Sequence, residues 1–251
     1  MSTSSTRRLF GRTVLIALLA GTSSCFPPPV RIPLAVPLPA VGGSRPATPQ
    51  GLQLIAEFGD GVWGQEQERV EIAGAGFGFS LRDRIEFGFS SYVPTRTVQN
   101  QTGDVTTGVR GKVRLGDFRE GRASVGLHIA VLTSERQGGA LQQDERLSAW
   151  DISLPLEIYP WGEQFVDRRW GLYAAPRLVF QTFEDRITSE SAKGTLAAAL
   201  LGAAARWRYV AVTGELNFAR TPTMSFGGTT FQGGWLLLPM LSVRGMLPIG
   251  D

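Results

Sequence analysis

Residues 150–158 read Trp150-Asp151-Ile152-Ser153-Leu154-Pro155-Leu156-Glu157-Ile158. In an extended chain, successive side chains point to opposite faces. Trp150, Ile152, Leu154, Leu156 and Ile158 therefore share one side, and Asp151, Ser153, Pro155 and Glu157 the other. An apolar face backed by a charged one, at a period of two, marks a half-buried strand.

The same alternation recurs in both directions. Val105, Thr107, Val109, Val113 and Leu115 oppose Thr106, Arg110, Lys112 and Arg114. Val125, Leu127, Ile129 and Val131 oppose Ser124, Gly126 and His128, and Ile85, Phe87 and Phe89 oppose Glu86, Gly88 and Ser90. Ten strands are expected, at 51–59, 69–80, 84–93, 104–115, 122–133, 147–158, 169–182, 195–207, 210–219 and 233–247. The eighth, rich in Ala and Leu, has helical propensity but sits in the regular series. Pro155, Pro176 and Pro239 remove ladder donors, so bulges are expected beside them.

Connections alternate in length. Those after the even-numbered strands are short, about 2–10 residues, and those after the odd-numbered strands about 9–13. The long ones are polar, such as Ser134-Glu135-Arg136-Gln137-Gly138-Gly139. The six Trp group at strand ends: Trp63, Trp150 and Trp235 toward the long loops, Trp161, Trp170 and Trp207 toward the short turns. Trp favours a membrane–water interface, where its ring is apolar and its N–H wet. Over about residues 51–248 the chain resembles bacterial outer-membrane β-barrel proteins. The resemblance implies an all-β fold, a single antiparallel up-and-down transmembrane barrel of about ten strands.

Composition agrees. The chain has 251 residues, 31 Gly and 15 Pro, with 43% hydrophobic and 19% charged residues, which excludes wholesale disorder. No apolar run reaches the roughly 18 residues of a membrane-spanning helix. One Cys and one His exclude a disulfide framework and a Cys- or His-based metal centre, and no cofactor is expected.

The first 24 residues are a leader. Arg7, Arg8 and Arg12 precede the apolar core Thr13–Gly21, and Thr22-Ser23-Ser24 leads to Cys25. This layout is that of a secretory signal peptide. It resembles a bacterial lipoprotein signal, which implies lipid on Cys25, and Arg7-Arg8 resembles a twin-arginine export signal. Without the leader, 22 basic residues face 22 acidic ones, so no retained positive patch points to nucleic acid. Eight Pro fall between Phe26 and Pro49, so residues 25–50 are expected to be a Pro-rich tether ahead of a 51–251 barrel domain. The apolar side chains of Val30, Ile32, Leu34, Val36 and Leu38 also permit an arm packed on the domain.

With the apolar faces on lipid, the opposite faces gather Glu86, Arg110, Lys112, Arg114, His128, Asp151, Glu157 and Arg177 in a lumen, with Glu57, Arg122, Arg206, Glu215 and Arg244. Buried charges need partners, and opposite signs on neighbouring strands offer them: Glu86 beside the basic row, Arg122 and Arg177 beside Asp151 and Glu157. A closed, neutral lumen is expected, with a porin-like, anion-favouring channel as the other outcome. His128 and Ser124 lie about 13 Å apart along one strand, too far for proton transfer, so no catalytic residue is assigned. The expected role is non-enzymatic, structural or narrow-pore, in the bacterial outer membrane. Its partners are membrane lipid and the barrel-assembly and lipoprotein-processing machinery; the loop partner is open. Two alternatives are a soluble lipocalin-like lipoprotein barrel, with Leu154 and Phe87 lining the interior, and a lipid-modifying barrel enzyme using His128.

Overall fold

A computed structural model describes residues 38–46, 50–63, 68–82, 84–96, 105–136, 145–160, 170–185, 189–207, 209–220, 223–226, 229–231 and 233–248. The signal, Cys25 and the first part of the Pro-rich segment lie outside the described residues.

Strands form where the period of two runs. They are β1 (Gly51–Trp63), β2 (Glu68–Leu81), β3 (Ile85–Arg96), β4 (Thr106–Phe118), β5 (Ala123–Arg136), β6 (Glu145–Ser153) and β7 (Leu156–Ile158). They continue as β8 (Trp170–Asp185), β9 (Ser191–Arg206), β10 (Val210–Arg220), β11 (Met224–Phe226), β12 (Thr229–Phe231) and β13 (Trp235–Pro248). β6 and β7 stand in line, so the main sheet has ten positions. Each strand pairs antiparallel with the next around the ring, and β13 returns to β1, with Gly51 facing Pro248. The result is a closed up-and-down barrel without a free edge. β11 and β12 form a separate hairpin within the last long connection, an element the sequence pattern did not reveal.

The Ala-rich segment is strand β9, since pairing on both sides outweighs its local helical preference. Pro155, Pro176 and Pro239 do not bulge the wall. Ser153 faces Arg177 and Leu156 faces Ala174, so the register with β8 runs unchanged across Leu154 and Pro155. Leu154 N–H donates to the Pro176 carbonyl at 3.2 Å, and Gly126 N–H to the Pro155 carbonyl at 2.9 Å. Each proline lacks only the hydrogen for the return bond. Pro239 likewise faces Leu216 in an unbroken register. The register shifts instead between Glu71 and Ile72, near Pro94, and between Arg114 and Gly116, which leaves Leu115 as the extra residue.

The outer face is apolar. Phe87 is 59% exposed and Leu154 45%. Arg110 and Lys112 are buried inside. This overturns the lipocalin-like alternative, which requires Leu154 and Phe87 within and the basic row in water. Phe77 and Phe89 pack outside as a tilted pair, with ring centroids 5.7 Å apart.

Aromatic rings mark two levels of the outer face. Trp170 and Trp207 meet edge to face near the short turns, with centroids 5.9 Å apart. Phe218 and Trp235 stack at 4.8 Å toward the long loops. Trp150 faces Phe180 in register. From Trp170 to Phe180 along β8, at about 3.3 Å per residue and a tilt near 40°, the band is about 25 Å tall. Trp150 was expected near a strand end, but β6 begins at Glu145 and carries the wall beyond it.

Residues 38–46 are buried. The expectation of a tether over residues 25–50 fails for this stretch, which packs inside the barrel.

Candidate functional site: the occupied lumen

The inner segment starts at the short-turn rim. Arg45 Nη2 donates to Asp117 Oδ1 at 2.8 Å, near the end of β4, and its guanidinium lies 5.2 Å from the Tyr159 ring centroid. Going back along the chain, the segment climbs. Ser44 meets Glu157 and Ser124 near the rim, Gly42 meets Glu215, and Ala40 meets Glu57. Pro39 reaches Arg177, seven positions along β8 from Trp170.

An irregular backbone inside a barrel exposes N–H and C=O groups that no ladder satisfies, and each buried unpaired group is costly. The lumen side chains meet that need. Three carboxylates accept from the segment's N–H groups: Glu57 from Ala40 at 3.3 Å, Glu215 from Gly42 at 2.7 Å, and Glu157 from Ser44 at 2.9 Å. Four cations donate to its carbonyls: Arg177 to Pro39 at 3.0 Å, Arg110 to Ala40 at 3.4 Å, Lys112 to Val41 at 3.1 Å and Arg206 to Gly42 at 3.1 Å. Val41 also packs with Tyr173, Ala175, Leu200 and Ala204.

Local conformation makes the fit possible. Gly42 and Gly43 are both left-handed, with φ of 72° and 81°. A Cβ on Gly43 would stand 2.6 Å from Glu157 Oε2, and one on Gly42 2.9 Å from Arg244 Nη2. Across the gap, a Cβ on Gly126 would stand 2.7 Å from the Ser44 carbonyl. Glycine is required on both sides of this approach.

The wall charges also pair with one another. Arg110 binds Glu57 at 2.6 Å, Arg206 binds Glu157 at 2.6 Å, and Arg177 holds Asp151 through both carboxylate oxygens. Glu86 takes Arg244 at 2.7 Å and Lys112 at 3.6 Å. Five acids (Glu57, Glu86, Asp151, Glu157, Glu215) thus share the lumen with five bases (Arg110, Lys112, Arg177, Arg206, Arg244). Pairing of this kind is what a buried charge requires. Tyr92 and Tyr173 complete it, donating to Glu57 at 2.7 Å and Glu215 at 2.8 Å. Neither tyrosine was singled out in the sequence.

Two assignments change. Arg114 does not complete an inner row of three: it stands at the rim, part-exposed, 3.8 Å from Asp117. Arg122 does not serve Asp151 or Glu157; it is exposed in the turn, where its carbonyl accepts from Tyr159 N–H at 2.8 Å. Arg206 takes the place at Glu157.

His128 and Ser124 have different partners. His128 Nδ1 lies 3.4 Å from Ser153 Oγ, and its Nε2 has no hydrogen-bond partner among the described residues. Ser124 Oγ meets the hydroxyls of Ser44 and, at 2.9 Å, Tyr159. Burial pushes the Tyr159 phenol up to about 12, and the Glu157 charge acts in the same direction. Tyr159 therefore stays a neutral hydrogen-bonding group. Among the described residues no cluster of His, Cys, Asp or Glu is arranged to hold a metal.

No family model matches the chain, and no curated protein matches it. Among solved structures it is similar to neisserial surface protein A, at 9% identity and a TM-score of 0.41, covering 80% of this chain and 98% of that one. It is similar to Ail, the attachment invasion locus protein of Yersinia pestis, at 9% identity and 0.37, covering 79% and 99%. It is also similar to the outer membrane protease OmpT of Escherichia coli, at 8% and 0.36, covering 80% and 98%. Identities and scores of this size transfer no activity.

Proposed function

We propose that this chain is a bacterial outer-membrane β-barrel whose lumen is closed by its own residues 38–46, so that it serves as a closed, non-enzymatic scaffold presenting long polar loops. The observation that carries the reading is the match between lumen and inner segment. Seven charged wall side chains reach the backbone of Pro39–Ser44. A water-filled channel has no use for so many charges directed at one peptide. The outer face supports the setting: an apolar band about 25 Å tall between aromatic levels fits the hydrocarbon core crossed by such barrels.

In this reading residues 1–24 are a cleaved export signal and Cys25 carries lipid, supported by the basic start, the apolar core and the place of the one Cys. A narrow pore is the second reading. The inner segment is held by side chains and not by a strand ladder, so its departure leaves the wall intact.

The test is reconstitution of the purified full-length chain into vesicles whose lipids carry bromine at defined depths. Trp170, Trp207 and Trp235 should be quenched most strongly by bromine near the headgroups. Equal quenching at all depths, or none, would contradict a membrane-spanning barrel.

A further inference from the structure

Two neighbouring turns at the short-turn rim carry arginine where arginine is a poor local choice. Arg84 N–H donates to the Leu81 carbonyl at 3.1 Å, and Gly121 N–H to the Phe118 carbonyl at 3.1 Å, closing each as a four-residue turn. Arg82 has φ of 53°, Arg119 of 49° and Glu120 of 57°. Gly takes this left-handed conformation more readily because it has no Cβ to meet the following carbonyl, and Asn because its short polar side chain hydrogen-bonds locally; Arg has neither advantage. Two of the strained positions hold a long cationic side chain.

These turns form one edge. Arg114 N–H donates to the Arg84 carbonyl at 2.7 Å, which brings the two turns together. Arg82, Arg84, Arg119 and Arg122 are exposed. Asp117 is engaged by Arg45 at 2.8 Å and Arg114 at 3.8 Å. Among the described residues, six arginines (Arg45, Arg82, Arg84, Arg114, Arg119, Arg122) stand here against two acids, Asp117 and Glu120; in the sequence Asp83 lies between Arg82 and Arg84. Leu81, Leu115 and Phe118 are exposed on the outer face beside them. The cationic edge thus sits at the end of the apolar band.

We propose that this edge binds the phosphate-bearing headgroups of anionic phospholipid in the leaflet at the short-turn rim. The inference rests on the membrane-spanning reading above. A guanidinium grips phosphate through two parallel N–H donors. Its aliphatic stem lies along apolar surface while the charge stays at the headgroups. Each basic residue beside an anionic surface contributes about fivefold to binding.

The experiment reconstitutes the full chain in vesicles of phosphatidylcholine with phosphatidylglycerol. Retained lipids are then counted by native mass spectrometry after gentle detergent release. Wild type should retain phosphatidylglycerol over phosphatidylcholine by at least about tenfold. The combined variant Arg82→Gln, Arg84→Gln, Arg119→Gln, Arg122→Gln should lose that preference. Lys193→Gln with Arg220→Gln, toward the opposite rim, should keep it. No preference in wild type, or full preference in the fourfold variant, overturns the inference. Inorganic phosphate that binds the edge while no lipid is retained identifies a free-anion site and overturns the lipid assignment. Heat-modifiable gel mobility separates the two failures. A chain that never folds into the bilayer defeats the spanning reading, whereas a folded chain without lipid preference defeats only this inference.

Discussion

Ser44 and Glu157, 113 positions apart in the sequence, meet inside the barrel. The Ser44 N–H donates to Glu157 Oε2 at 2.9 Å, and the Ser44 hydroxyl donates to the same oxygen at 3.0 Å. Arg206 holds the other carboxylate oxygen at 2.6 Å. Glu157 therefore ties together β7, β9 and the inner segment. Glu157→Ala leaves the Arg206 cation without its carboxylate. Breaking one side of a buried pair costs about 3–5 kcal/mol. A fall in the urea midpoint of that size, with new proteolytic cleavage within residues 38–46, is the expected result.

Gly43→Val separates the inner segment from the wall. Its Cβ would stand 2.6 Å from Glu157 Oε2, at a φ of 81° that L side chains rarely adopt. The conformation alone costs about 1–2 kcal/mol. The segment should become sensitive to protease while the barrel keeps its heat-modifiable mobility. Unchanged protection of residues 38–46 would show that the segment does not depend on this contact.

The lipid face has a depth signature. Leu154 lies at the level of Pro176, between the Trp170 and Phe180 levels of the outer face. Leu154→Arg should destabilise the barrel by about 2–4 kcal/mol, and Thr182→Arg, past Phe180, by about 0–1 kcal/mol. Urea titrations in lipid vesicles measure both. Equal costs at the two positions would remove the argument for a hydrocarbon band between them.

The Asp151–Arg177 pair is the most enclosed of the lumen pairs, with neither side chain exposed. Arg177 Nη1 also donates to Asn217 at 2.9 Å and Nη2 to Pro39 at 3.0 Å. Arg177→Met alone leaves a lone buried carboxylate and should cost about 3–5 kcal/mol. Arg177→Met with Asp151→Leu should cost less than the single change, since no charge is left unpaired. A double-mutant cycle on unfolding free energy decides it.

The wall was legible in the sequence because strand periodicity is a local signal. Phe87, Leu154, Arg110 and Lys112 stand on the faces the alternation assigned them. Local signals also explain where the reading stopped. Pairing partners depend on register: Arg122 sits on the strand next to Glu157 in pattern, but the position of the turn puts it outside, and Arg206, one strand further away on β9, reaches Glu157 instead. Pro155 looked like a bulge because proline loses a donor, yet one missing bond is tolerated where the opposite residue still donates. The inner segment was hidden for a different reason. Its bonds run from wall side chains to its backbone, and a backbone amide has no sequence signature. The signs that were present are Gly42-Gly43 and the apolar residues of a supposed solvent-exposed tether. The unusual number of inward charges was a third, since they need acceptors and donors inside a closed wall.

Closure of the lumen by residues 38–46 is tested most directly by planar-bilayer conductance of the purified full-length chain beside the same chain lacking those residues. Wild type should show no resolved channels, and the deletion variant small, stable openings with the folded wall retained. Stable channels in wild type, unchanged by the deletion, would contradict a lumen closed by its own N-terminal segment and make the protein an open pore.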